Sequence, residues 1–119
     1  MTTQQIADRL ADLCRQGKFE DAQKELYAND VVSLEPYASP DFDKETKGLD
    51  AIIEKGKKFN SMVEEVHGGS VSEPLIVNNT IAFVMNMDMT MKGKERSSMN
   101  ELCVYQVKDG KIVSEQFFM

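Results

Sequence analysis

The sequence predicts a single α+β domain, and three observations predict it. Apolar residues recur at helical spacing up to about residue 64 and then switch to alternation with a period of two. The alternating half is punctuated by the turn signals Asn78-Asn79, Lys92-Gly93-Lys94 and Asp109-Gly110, of which Asp-Gly is a strong hairpin marker. A chain of 119 residues buries roughly two-thirds of its unfolded surface, enough for one core and too little for two domains. Helices first and strands afterwards specify α+β architecture with an antiparallel meander.

The elements follow in order. Thr2 or Thr3 caps a first helix whose Ile6, Leu10, Leu13 and Cys14 form one stripe ending at Gly17. Phe19, Ala22, Leu26 and Tyr27 repeat the pattern over residues 18–28, and Asn29-Asp30 stops it before a strand, Val31 to Glu35. Residues 36–48 read as a loop. A third helix spans about 49–64 with Leu49, Ile52, Ile53, Gly56, Phe59 and Val63 inward and Glu54, Lys55, Lys57 and Lys58 outward. Strands are expected at about 66–75, 79–92, 96–108 and 111–119.

Composition excludes several function classes. The net charge is -6 and the basic residues form no stripe, so neither nucleic acid nor an anionic membrane is an expected partner. The start MTTQQIADRL has no apolar signal core and no apolar run spans a bilayer, so the expected location is cytoplasmic. Cys14 and Cys103 lie far apart, without CxxC or histidine spacing, and are expected to be reduced and buried; no cofactor or metal is expected.

Strand parity sorts the rest. In TIAFVMNMDMTM the odd positions are Ile81, Phe83, Met85, Met87, Met89 and Met91, and in the next strands Met99, Glu101, Cys103 and Tyr105, then Glu115, Phe117 and Met119. The even face carries Val84, Leu102, Val104 and Phe118, so both faces need a cover; a second copy of the chain is the expected cover of the outer one. Glu35 precedes Pro36, which lacks a ladder donor and holds its predecessor extended, so Glu35 is expected at a strand end.

The stretches RQGKFEDAQKELYANDVVSLEP, KGLDAI and VYQVKDGKIVSEQFF resemble the nuclear-transport-factor-2-like superfamily over essentially the whole chain, closest to its SnoaL-like branch, with a layout shared with ketosteroid isomerase. The resemblance implies a cone of curved, cystatin-like antiparallel sheet wrapped on three helices, a pocket between them, and a homodimer formed through the outer sheet face. Glu35-Pro36 matches the carboxylate-proline of the isomerase, where the carboxylate is the general base. The isomerase's helix-1 tyrosine falls on Leu10 and its protonated aspartate on Cys103; a leucine cannot donate and a thiol donates weakly. Polyketide cyclases of the branch use an acid/base carboxylate near the final strands, where this chain has Glu101 and Glu115.

The candidate acid/base residues are therefore Glu35, Glu101, Glu115 and the lone histidine, His67. A small hydrophobic ligand would be walled by Phe83, Met85, Met87, Phe117 and Met119, with Leu10, Phe59, Met99 and Cys103 beside them and Tyr37 and Tyr105 lending hydroxyls. Three readings stay open: an isomerase- or cyclase-type enzyme, a ligand-binding module, and a dimerisation domain whose cone is filled by side chains.

Overall fold

The computed structural model describes residues 1–119 and has three helices against one seven-stranded sheet. Helix α1 (Thr3–Arg15) begins in a capping box, Thr2 Oγ1 accepting from Gln5 N while the Gln5 side chain accepts from Thr2 N. It ends before Gly17, whose φ of +73° makes the left-handed turn. Helix α2 is Phe19–Leu26 and α3 is Leu49–Met62.

The strands are β1 (Tyr27–Leu34), β2 (Glu45–Lys47), β3 (Val63–Val71), β4 (Leu75–Val77), β5 (Thr80–Met91), β6 (Arg96–Lys108) and β7 (Lys111–Phe118). Their order is β2-β1-β7-β6-β5-β3, with β4 also on β5. The Asp109-Gly110 turn takes φ of +52° and +76°, the two left-handed residues of a two-residue hairpin.

Three boundaries and one strand pairing differ from expectation. Tyr27 opens β1 instead of closing α2, because its ring packs into the core from the strand. The 36–48 loop contains β2, paired to β1. The strand expected over 66–75 is two strands separated at Pro74, which supplies no ladder N–H. The sheet is also mixed, because β1 lies parallel to β7.

One face of the sheet, carrying Ile81, Phe83, Met85, Cys103, Tyr105 and Ile112, packs on Ile6, Leu10, Leu13, Leu26 and Ile52 of the helices. In β5 and β6 this is the odd-numbered face expected from parity. In β7 the even-numbered Ile112, expected on the outer face, is buried instead, because the register shifts between Gln106 and Val107 and sets Ile112 opposite Val107. Leu10 is 1 % exposed and Phe83 2 %, so side chains fill the middle of the cone. The opposite face exposes Val84, Leu102 and Phe118, which are cross-strand neighbours.

Candidate functional site

A chain of polar side chains runs from this core to the rim. Glu115 of β7 is 3 % exposed. Its Oε1 accepts from the Tyr27 hydroxyl, and its Oε2 accepts from Ser33 Oγ at 2.7 Å. Ser33 stands opposite Glu115 in the β1–β7 register, and Tyr27, Val31 and Ser33 share the inward side of β1. Lys55 of α3 donates to Ser33 Oγ at 2.9 Å and to Glu35 Oε1 at 3.0 Å. Every buried side-chain nitrogen and oxygen has a partner.

Glu101 joins from β6. It stands opposite Met85, and Met87 opposite Met99 continues the same face, so methionines flank it on the sheet. Its side-chain partner is the Cys103 thiol, 3.6 Å from Oε1. Burial, only partly offset by that weak donor, and the nearby charges of Glu35 and Glu115 push the Glu101 carboxyl up to about 7. Burial also raises Glu115, against the hydrogen bonds of Tyr27 and Ser33, which favour its ionised form. Burial drives the Tyr27 and Tyr105 hydroxyls and the Cys103 thiol upward, and the Cys14 thiol up to about 12, so none ionises near neutrality.

The structure thus brings Glu35, Glu101 and Glu115 into one cluster, with Cys103 and Tyr105 at its inner edge. Glu35 follows the last residue of β1, as expected, and its N–H bonds Lys44 O at 2.7 Å. It is paired to Lys55 and 27 % exposed at the side chain, rather than set in an apolar pocket. Lys55, expected on the outer side of α3, is turned inward with its side chain 16 % exposed.

Other expected residues lie elsewhere. His67 bonds Thr90 Oγ1 at 2.7 Å and faces Glu65 on β3. Tyr37 and Met119 are 64 % and 60 % exposed. Phe59 packs beside Phe42 of the 36–44 segment, with ring centroids 6.4 Å apart. Phe83, Met85, Met87 and Phe117 do lie on the helix-facing side, but packed against the core.

An open depression of about 390 Å³ lies between α3 and the 41–46 segment, lined by Phe42, Thr46, Ala51, Lys58 and Lys55 among others. It is on the Lys55 side of the cluster and contains none of the expected apolar walls. Sequence reasoning missed Tyr27, Ser33 and Lys55. Alternation of Tyr27, Val31 and Ser33 was a usable signal for the first two; an inward lysine among outward charges carried none.

The model for the SnoaL-like domain matches residues 1–119. Among solved structures, a protein from Mesorhizobium loti provisionally named a SnoaL-like polyketide cyclase is 33 % identical, with a TM-score of 0.92 and 100 % of both chains covered. A nuclear-transport-factor-2-like protein of unknown function from Burkholderia pseudomallei is 13 % identical, with a TM-score of 0.80, covering 100 % of this chain and 92 % of that one. TerC, crystallised with polyporic acid, is 10 % identical with a TM-score of 0.80, covering 98 % of this chain and 90 % of that one. No curated protein matches the chain.

Proposed function

The chain belongs to the SnoaL-like domain family, and from that membership we propose that it binds a small hydrophobic molecule on the helix-facing side of the sheet and moves a proton on it by carboxylate acid/base chemistry of isomerase or cyclase type. The observation that carries this reading is Glu101, a half-buried carboxyl raised to about 7 among methionines, beside a second carboxyl held by two hydroxyls. Proton transfer is most efficient when the group's pKa lies near the working pH, which the raised Glu101 carboxyl approaches. Neighbouring carboxyls held in unlike surroundings divide the acid and base roles.

In the division proposed, Glu101 takes and returns the proton, and Glu115, fixed by the hydroxyls of Tyr27 and Ser33, is the second carboxyl of the site. Glu35 stands at the rim with Lys55 as the second candidate base. Methionines 85, 87 and 99 are the pliable wall that yields to the ligand, since unbranched thioethers repack at low cost. The TerC complex with polyporic acid supports the reading at the level of the fold alone. Two free, buried cysteines fit a reducing, cytoplasmic setting.

The test is a thermal-shift screen against apolar carbonyl compounds, followed by deuterium exchange at carbon next to the carbonyl. A ligand at 100 times its dissociation constant stabilises by ~2.7 kcal/mol. Exchange that Glu101→Gln abolishes supports the reading; exchange unchanged by Glu101→Gln removes Glu101 from the role.

A second reading, a dimerisation module without turnover, is favoured by the filled core and by the exposed row Val84, Leu102 and Phe118 on the outer face. Dimerisation itself is compatible with either reading, because the apolar row and the carboxylates lie on opposite faces of one sheet; turnover separates the two.

A further inference from the structure

We propose that Lys55 is the positioning residue of the carboxylate site, orienting the Ser33 hydroxyl toward Glu115 while holding Glu35 at the rim. The inference rests on the acid/base reading above and assigns the residue that organises it.

The argument begins with donors and acceptors. An ammonium has three hydrogens and no lone pair, so Lys55 can only donate. Ser33 Oγ, 2.9 Å from Nζ, must therefore accept there, which leaves its single hydrogen for Glu115 Oε2 at 2.7 Å. Without the ammonium, the hydroxyl is free to rotate toward other acceptors. The second acceptor on Nζ is Glu35 Oε1 at 3.0 Å, so one cation spans the buried and the rim carboxylates.

Charge points the same way. The titratable groups facing this site are Cys14 from α1, Tyr27 and Glu35 from β1 and its end, Glu101, Cys103 and Tyr105 from β6, and Glu115 from β7. Lys55 is the cation hydrogen-bonded within that group, and its charge acts on both Glu101 and Glu115 to favour their ionised forms. Lys55 also lines the open depression with Asp41, Asp43, Glu54 and Lys58, so it is the residue shared by the depression and the carboxylate cluster.

The experiment is a carboxyl-carbon NMR titration of uniformly labelled protein, comparing wild type with Lys55→Met and Lys55→Arg. In Lys55→Met the Glu101 and Glu115 midpoints are expected to rise by at least about half a pH unit, since an opposite charge within reach is lost; Lys55→Arg, which keeps the charge, restores most of the shift. Midpoints that stay at their wild-type values in a Lys55→Met protein with an intact amide spectrum overturn the proposal. Should Lys55→Met fail to fold, the wild-type ammonium decides: a slowly exchanging Lys55 Nζ–H correlation near neutral pH supports the two hydrogen bonds, and its absence overturns them. Neither readout uses a substrate. Altered midpoints without any turnover would sink the acid/base reading and leave the Lys55 assignment standing; turnover with unaltered midpoints would do the reverse.

Discussion

Ser33 and Glu115 face each other across the parallel pairing of β1 and β7, with Ser33 Oγ 2.7 Å from Glu115 Oε2. Both side chains are buried, so the hydrogen bond replaces water that neither can reach. With Tyr27 on the other oxygen, Glu115 is held from two sides by groups on a single strand. Tyr27→Phe and Ser33→Ala should each lower stability by roughly 1–3 kcal/mol, the range for leaving a buried hydrogen-bond partner unsatisfied. Because the two share one acceptor, the double variant should depart from additivity by roughly 0.5–3 kcal/mol in urea unfolding. Strict additivity would mean that Glu115 is not their common partner.

The raised carboxyls make stability fall with rising pH. Below the unfolded value of about 4.3 both states bind the Glu101 proton, and nothing differs. Between there and about 7 the unfolded chain releases the proton while the folded one keeps it, so the unfolded state binds fewer protons and stability drops as pH rises. The loss from Glu101 is complete above the folded value and amounts to roughly 3–4 kcal/mol. Glu101→Gln should therefore match wild type near pH 4 and exceed it at pH 8, as read from denaturation midpoints. A variant that is less stable than wild type at pH 8 would contradict the placement of Glu101 in poorly solvated surroundings.

Much of this fold could be read from periodicity. The odd positions of β5 and β6 face the helices as parity required, and Glu101 and Glu115 turned inward with Cys103. The bulge before Val107, however, puts the even-numbered Ile112 of β7 inside, which strict alternation cannot foresee. The β1–β7 pairing was not legible, because a parallel pair joins opposite ends of the chain and leaves no turn signal. Lys55 was hidden for another reason. Amphipathic patterning assigns lysine to solvent, and only the carboxylate and hydroxyl brought beneath α3 by β1 give its ammonium a reason to turn in. The filled cone was equally hidden, since pattern fixes which residues are inside but not whether they leave a void.

The outer sheet face yields a prediction about assembly. Val84 stands opposite Leu102 and Leu102 opposite Phe118, all exposed, so an apolar row crosses three strands. Such a row is covered when a second copy packs face to face, and the fold places no helix there. Wild type should run as a dimer in light scattering, and Leu102→Lys, on the exposed outer face, should run as a monomer with its helical signal intact. A wild-type mass equal to one chain at high concentration would dismiss the dimer.

Leu10 offers the sharpest contrast between a filled cone and a pocket. At 1 % exposure it packs with the core residues of α1 and the sheet. Truncation to alanine removes buried atoms that the surrounding helices and sheet can replace only in part. The expected cost is roughly 2–5 kcal/mol, growing with the volume left empty. The cavity so formed would be lined by aliphatic and aromatic groups, and apolar cavities of this kind stay dry and accept small apolar guests. Leu10→Ala should thus melt earlier than wild type and recover part of the loss when a saturating small hydrocarbon is added, whereas wild type should show no such recovery. Stabilisation of wild type by the same hydrocarbon would mean that a void already exists beside Leu10 and that the core is not filled. If the variant neither melts earlier nor responds to hydrocarbon, the methionine face has collapsed into the gap, and the pliability assigned to Met85 and Met87 would account for it.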